Sequence, residues 1–135
     1  MNNLLRSSLL FTVATLALSA CDGNLRLYRG TFTHTRNSDV SERTNLVATA
    51  LPTNDPSEWL FGEFFGLVAK LQGTTLTFTP DQSWTESTNG TTYTYALTSG
   101  EGTMSPEALN VTLSLTASSS GASAVDSYTF SGERE

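Results

Sequence analysis

Cysteine and histidine each occur once in the 135 residues, and long apolar runs are absent. Because Cys21 is the only cysteine, the chain cannot form an internal disulfide, and its stability has to come from a packed core. The uncharged, apolar or small-residue run near the N-terminus covers residues 7–20, which is 14 positions. A membrane-spanning helix needs about 20 apolar residues, so this run is not predicted to cross a bilayer.

Basic residues are also scarce, with 7 Lys and Arg against 13 Asp and Glu and a net charge of −6 at pH 7. An acidic surface repels phosphate groups. The charge balance therefore argues against a nucleic acid partner, and no polybasic stretch is present to hold the chain on anionic lipids.

The N-terminal stretch has the parts of a secretion signal. A short positive segment ends at Arg6, the uncharged run 7–20 follows, and the sequence Leu18-Ser19-Ala20-Cys21 closes the stretch. This order of a leucine, two small residues and a cysteine resembles the lipobox of bacterial lipoproteins. The resemblance implies cleavage before Cys21 and a diacyl lipid on its sulfur.

The same resemblance implies how the chain is divided and where it lies. We expect a signal peptide over 1–20, a lipidated tether over 21–24 and a folded domain over 25–135. The lipid on Cys21 makes the bacterial cell membrane a partner, with the domain facing the periplasm or the exterior. Asp22 is similar to the residue that keeps some lipoproteins in the inner membrane, and it favours that membrane.

Threonine and serine alternate with apolar residues along much of the remaining chain, a pattern typical of strands with one solvated face. In 74–80, Leu76 and Phe78 share a face, and ALNVTLSLTA at 108–117 alternates over a longer run. We predict that both segments are half-buried antiparallel strands.

The dipeptide Asn89-Gly90 predicts a β-hairpin, because a type I′ turn needs two residues with positive φ. A two-residue turn at this point places Trp84 opposite Tyr95 and Glu86 opposite Tyr93.

The two ends of the domain carry related patterns, Tyr-x-Gly-x-Phe at 28–32 and Tyr-x-Phe-x-Gly at 128–132. Glycine among large residues of a strand marks a kink or a close approach of two backbones. We therefore expect the first and last strands to pair and to close the sheet.

Residues 54–73 allow two interpretations. Asp55, Pro56 and Glu58 form a helix-start signal, which predicts one short helix near 56–64. The alternate apolar residues of 64–71 instead indicate a strand, which we favour for that segment.

Strands spaced by about 8–12 residues are typical of a sandwich or a barrel. We predict an all-β fold, a single antiparallel meander or small barrel of about seven to nine strands, with polar loops at 35–44 and 118–124. This architecture and the Tyr-x-Gly-x-Phe start resemble the lipocalin-like domains of bacterial envelope lipoproteins. The resemblance implies binding of a ligand or a protein rather than catalysis.

Residues that carry chemistry form no catalytic signature. His34 is the only histidine that could act as a base, and no G-x-S-x-G segment presents a serine. One imidazole and two carboxylates can bind zinc, so His34, Asp39 and Glu42 offer a metal-site alternative to the solvated loop that we favour. We predict no catalytic residue, no metal site and no cofactor.

Aromatic residues give the candidate ligand site. Such rings could line a pocket for an apolar molecule, or they could fill the core of a small barrel, the interpretation that we favour. The candidates are Trp59, Phe61, Phe64, Trp84, Tyr93 and Tyr95.

We predict a monomeric, non-catalytic binding module for a small apolar molecule or lipid. The alternative is an envelope protein that binds another protein, as an inhibitor or assembly factor, through an exposed loop such as 35–44.

Overall fold

A computed structural model describes residues 25–135, and the predictions made for the signal peptide, Cys21 and Asp22 lie outside the described residues. Residues 25–135 form nine strands, which confirms the all-β prediction. The strands are β1 (Arg26–Arg36), β2 (Asp39–Pro52), β3 (Glu58–Phe61), β4 (Leu67–Gln72), β5 (Thr75–Phe78), β6 (Ser83–Thr88), β7 (Thr91–Met104), β8 (Ala108–Ser119) and β9 (Ala122–Arg134).

The nine strands form one antiparallel sheet that closes into a ring. Their order is β5-β4-β3-β2-β1-β9-β8-β7-β6, and an additional pairing between β5 and β7 completes the ring. The predicted pairing of the first and last strands is confirmed, because β1 and β9 are hydrogen-bonded from Tyr28 opposite Arg134 to Arg36 opposite Asp126.

The helix predicted near 56–64 is wrong, since residues 25–135 contain no helix. Glu58–Phe61 is instead the short strand β3, which pairs with the end of β2 and with β4. A turn over 62–66 follows, and β4 begins at Leu67, inside the predicted strand 64–71. Phe65 and Gly66 both have positive φ, so the chain reverses there without completing a helical turn.

The two polar segments that the sequence suggested as loops are mostly paired strands. Asn37-Ser38 and Ser120-Gly121 are two-residue turns with positive φ at both positions, as at the predicted turn Asn89-Gly90. Polar composition suggested loops because both faces of these hairpin tips are solvated. All three turns lie at the same end of the sheet, which we call the hairpin end.

The sheet is not closed along its full height. β3, β4 and β5 are only 4–6 residues long, whereas β2 and β7 each have 14. β3 pairs with β2 only at residues 50–52, and β5 pairs with β7 only at 101–103. Towards the hairpin end, the described strands therefore leave a gap between the edges of β2 and β6.

The interior of the ring is packed with large side chains. Phe61 lies 5.4 Å from Phe78 and 6.0 Å from Phe64 between ring centroids, and Phe64 lies 5.7 Å from Phe130. The buried hydroxyl of Tyr28 donates a 2.7 Å hydrogen bond to the carbonyl of Ser105. The strand faces predicted from alternation supply the rest of this core, including Leu76, Phe78, Leu109, Val111, Leu113 and Leu115.

The two glycines of the end patterns face each other where β1 pairs with β9. Gly30 lies opposite Gly132, and a Cβ on Gly30 would overlap the carbonyl oxygen of Ser131. On Gly132, a Cβ would come within 2.7 Å of the Phe130 ring. The expected close approach of two backbones is thus present, and it brings β1 and β9 together where the sheet closes.

Candidate functional site

The six candidate ring residues fall into two groups. Trp59, Phe61 and Phe64 belong to the buried core, with 8%, 0% and 1% of their surface exposed. The guanidinium of Arg26 lies 4.8 Å above the Trp59 ring, at the end of the sheet opposite the hairpin end. These three residues therefore fill the interior, as the favoured interpretation expected.

The other three candidates lie together on the β6–β7 hairpin. The predicted register is confirmed, with Trp84 opposite Tyr95 and Glu86 opposite Tyr93. Side chains two residues apart in a strand share a face, so all four lie on one face, which Tyr95 identifies as the inner face because it is 2% exposed. Trp84, Glu86 and Tyr93 are half-buried. We call these four residues the Glu86 site.

Phe65 connects the Glu86 site to the core. Its ring lies 4.8 Å from Trp84 and 5.1 Å from Tyr128, and Trp84 in turn stacks on Tyr95 at 5.4 Å. The turn 62–66 that carries Phe65 thereby fills the base of the gap between β2 and β6. A non-glycine residue with a φ of +60° is uncommon, so packing holds Phe65 in a conformation that its backbone disfavours.

The indole nitrogen of Trp84 is buried and has no hydrogen-bond partner. A buried donor without an acceptor costs about 1–3 kcal/mol. It is the only such side-chain atom found within residues 25–135, and it lies beside the half-buried rings of the hairpin end. An acceptor supplied from outside the chain would remove this cost.

A buried carboxylate, Asp126, lies at the hairpin end. Asp126 is 0% exposed and accepts hydrogen bonds from Arg36 at 2.6 and 2.5 Å and from a ring nitrogen of His34 at 3.1 Å. The hydrogen bond from Arg36 to Asp126 raises the pKa of Arg36, so the guanidinium stays charged. This cluster of three residues joins β1 to β9.

The structure does not bring together His34, Asp39 and Glu42, the residues of the alternative metal site, into a group that could hold a metal ion. The His34 ring stacks on Tyr128 at 4.4 Å with an interplanar angle of 4° and contacts Asp126. Glu42 is paired with Thr33 rather than with His34, and alternation places it on the opposite face of the sheet. Within the described part of the chain, no three His, Cys, Asp or Glu residues are arranged to hold a metal ion.

A depression of about 170 Å³ adjoins the Glu86 site. Tyr93 borders it on one side and Arg36 on the other, and three alanines are part of its lining. The alanines leave the space that larger side chains would fill. They are Ala117, Ala122 and Ala124.

Burial changes the titration of several groups around this end. It raises the pKa of Glu63, in the turn 62–66, to about 7, and it also raises the pKa of Glu86. Burial raises the pKa of Tyr95 and Tyr128 as well, and the negative charge of Glu86 adds to both shifts. The Glu86 carboxylate is therefore close enough to act on these rings.

The fold and this site define an all-β domain whose ring-shaped sheet is filled at one end and lined by half-buried aromatic residues at the other. Comparison with protein-family models, with curated proteins and with solved structures found no match to the chain. In residues 25–135, no helix is both long and apolar enough to cross a membrane.

Proposed function

We propose that the protein is a lipid-anchored binding module of a bacterial envelope that binds a small molecule on the inner face of its hairpin end. The observation that carries the proposal is the group of half-buried rings on β6 and β7, together with the unpartnered indole N–H of Trp84. Small-molecule sites combine apolar and aromatic walls with a few polar groups. The hairpin end has this composition, whereas the interior is filled with side chains.

The proposed anchor determines which end of the domain faces the membrane. Cys21 precedes Arg26, the first residue of β1, by five positions, a span of at most about 18 Å. β1 has 11 residues and is about 36 Å long, and the hairpin end lies at its far end. A lipid on Cys21 would thus direct the binding site away from the bilayer. This orientation favours a ligand that arrives from the aqueous phase over a lipid drawn from the same membrane.

The ligand is tested by native mass spectrometry of the protein extracted from bacterial membranes without denaturation. The wild-type protein should carry a bound species that denaturation releases. Trp84→Ala and Tyr93→Ala should lose it, while Val125→Ala should retain it, because Val125 lies on the outer face and is 62% exposed. A ligand-free wild-type mass, or equal retention in all variants, would contradict the proposal.

The anchor is tested by the mass of the mature chain. The proposal requires a chain that begins at Cys21 and carries the mass of a diacyl lipid, whereas Cys21→Ser should remain uncleaved. A mature chain that starts elsewhere, or that lacks the lipid, would rule out the anchor.

A protein partner is the second candidate function, and the gap in the sheet favours it. The edge of β2 over 39–42 and the edge of β6 have no strand partner on the gap side within the described residues. Unpaired edges can accept an extended segment of another chain. Crosslinking from residues 41 and 85 in cells should capture a specific protein if this function is the correct one. Crosslinks that match those from an outer-face residue such as Thr98 would reject it.

A further inference from the structure

We infer that the Glu86 site binds an organic cation, such as a quaternary or primary ammonium group. The inference rests on the proposed function and specifies the charge of its ligand. Its starting point is the position of one carboxylate among three aromatic rings on the inner face of β6 and β7.

The cross-strand register creates this arrangement. Glu86 is directly opposite Tyr93, and Trp84 is directly opposite Tyr95. The planes of Trp84 and Tyr95 are inclined by 16°, and Tyr93 and Tyr95 lie 6.5 Å apart between ring centroids. The three rings thus form a continuous aromatic surface next to the carboxylate.

Two other carboxylates have an arginine as ion-pair partner, and Glu86 does not. Arg29 contacts Glu135 at 2.8 Å, and Arg36 contacts Asp126 at 2.5 Å. Glu86 has no ion-pair partner among residues 25–135, although it is half-buried. Burying a charge without a partner is costly, so the arrangement is more stable when a cation lies beside Glu86.

The aromatic rings also attract a cation. The face of an aromatic ring carries partial negative charge and attracts ammonium groups within about 6 Å. Trp84 and Tyr93 are half-buried rather than sealed in the core, so a ligand can reach them. The depression bordered by Tyr93 provides room for the remainder of the molecule.

An organic cation fits these groups better than a metal ion does. Metal ions need several oxygen, nitrogen or sulfur ligands, and Glu86 is the only carboxylate on this face of the β6–β7 hairpin. A group with a diffuse charge and an apolar surface instead matches one carboxylate and three rings.

The test compares choline with its uncharged isostere 3,3-dimethyl-1-butanol. The full protein, extracted in dodecyl maltoside and labelled with 5-fluorotryptophan, gives two fluorine resonances, for Trp59 and Trp84. Choline should shift the Trp84 resonance with a dissociation constant at least about 10-fold lower than that of the isostere. Glu86→Gln should reduce this difference to the part that the rings supply, while Glu101→Gln, an exposed change on β7, should preserve it in full.

Each other outcome contradicts the inference in a distinct way. Equal affinity for both probes would retain a binding site but overturn its preference for a cation. A preference of the same size in Glu86→Gln and in the wild type would overturn the role of Glu86. No shift with either probe would overturn the inference, and the native mass of the extracted protein would still decide the proposed function separately.

Discussion

The rings of Phe65 and Trp84 lie 4.8 Å apart, although no strand pairing joins the segments that carry them. Phe65 belongs to the turn between β3 and β4, and Trp84 lies in β6. Their contact places the turn 62–66 against the hairpin end at the point where the sheet is open. The contact thus links the packed core to the proposed ligand site.

The positive φ of Phe65 predicts that glycine at this position destabilises the protein less than alanine does, the reverse of the usual order. Glycine normally destabilises more than alanine by about 0.5–1 kcal/mol in regular structure. At a φ of +60°, alanine retains the backbone strain and glycine relieves it. We therefore expect Phe65→Gly to be about 1 kcal/mol more stable than Phe65→Ala in urea unfolding. Both should be less stable than the wild type, because both lose the aromatic contacts. Phe65→Ala as the more stable variant would show that the turn has another conformation.

Closure of the sheet predicts that Gly30 tolerates no side chain. In Gly30→Ala, the new Cβ would overlap backbone atoms of Ser131 and Gly132, so β1 and β9 would have to separate. We expect a loss of about 3 kcal/mol or more in the free energy of unfolding, the range of severe core disruptions. Gly121→Asn is the matched control, because a Cβ there meets nothing within 4 Å and asparagine tolerates positive φ. Similar stability of both variants would contradict the pairing of β1 with β9.

Burial of Glu63 predicts that stability falls as the pH rises. Its pKa is about 7 in the folded protein against an ordinary value of 4.5. The folded state therefore binds the proton more tightly, and the resulting penalty is absent below pH 4.5, grows up to about pH 7 and is constant above it. Its full size is about 3 kcal/mol, from 1.36 kcal/mol for each pKa unit.

The pH effect is measured by urea unfolding at pH 4.5 and pH 8. Glu63→Gln should match the wild type at the lower pH and exceed its stability by about 3 kcal/mol at the higher pH. The exposed change Glu101→Gln should not alter the pH dependence. If the difference in stability between Glu63→Gln and the wild type is the same at pH 8 as at pH 4.5, Glu63 is not buried.

Removing the charge of Asp126 should destabilise the protein strongly. Asp126→Asn keeps the shape of the side chain but removes its ion pair with Arg36, whose side chain is 31% exposed. Breaking a buried ion pair costs about 3–5 kcal/mol, and partial exposure of Arg36 reduces this to about 2–3 kcal/mol. Asp39→Asn, an exposed change in β2, serves as the control. Equal unfolding midpoints for the two variants would contradict a structural role for Asp126.

The sequence predicts well where local pairing and side-chain alternation decide the structure. Asn89-Gly90 sets the register of its hairpin because the turn fixes both strands. Alternation along β8 gave the correct inner face. The glycine patterns at the two ends of the domain correctly indicated the pairing of β1 with β9.

Interactions between distant segments account for what the sequence did not predict. The two-residue period that places Tyr128 and Phe130 inside also places Asp126 inside, and this was the available signal for the buried carboxylate. Its partners Arg36 and His34 lie about 90 residues away, so the ion pair itself gave no local signal. The division of the aromatic residues into core and hairpin end likewise follows from the gap in the sheet, which depends on how short β3, β4 and β5 are.

The most direct measurement of the proposed site is fluorine NMR of the protein labelled with 5-fluorotryptophan. The protein would be extracted from its membrane without denaturation and then compared with the same protein after unfolding, removal of released small molecules and refolding. Trp84 lies in the proposed site and Trp59 lies in the core at the opposite end. The account predicts that the Trp84 resonance differs between the two samples while the Trp59 resonance is unchanged. Identical Trp84 resonances, or a change confined to Trp59, would contradict it.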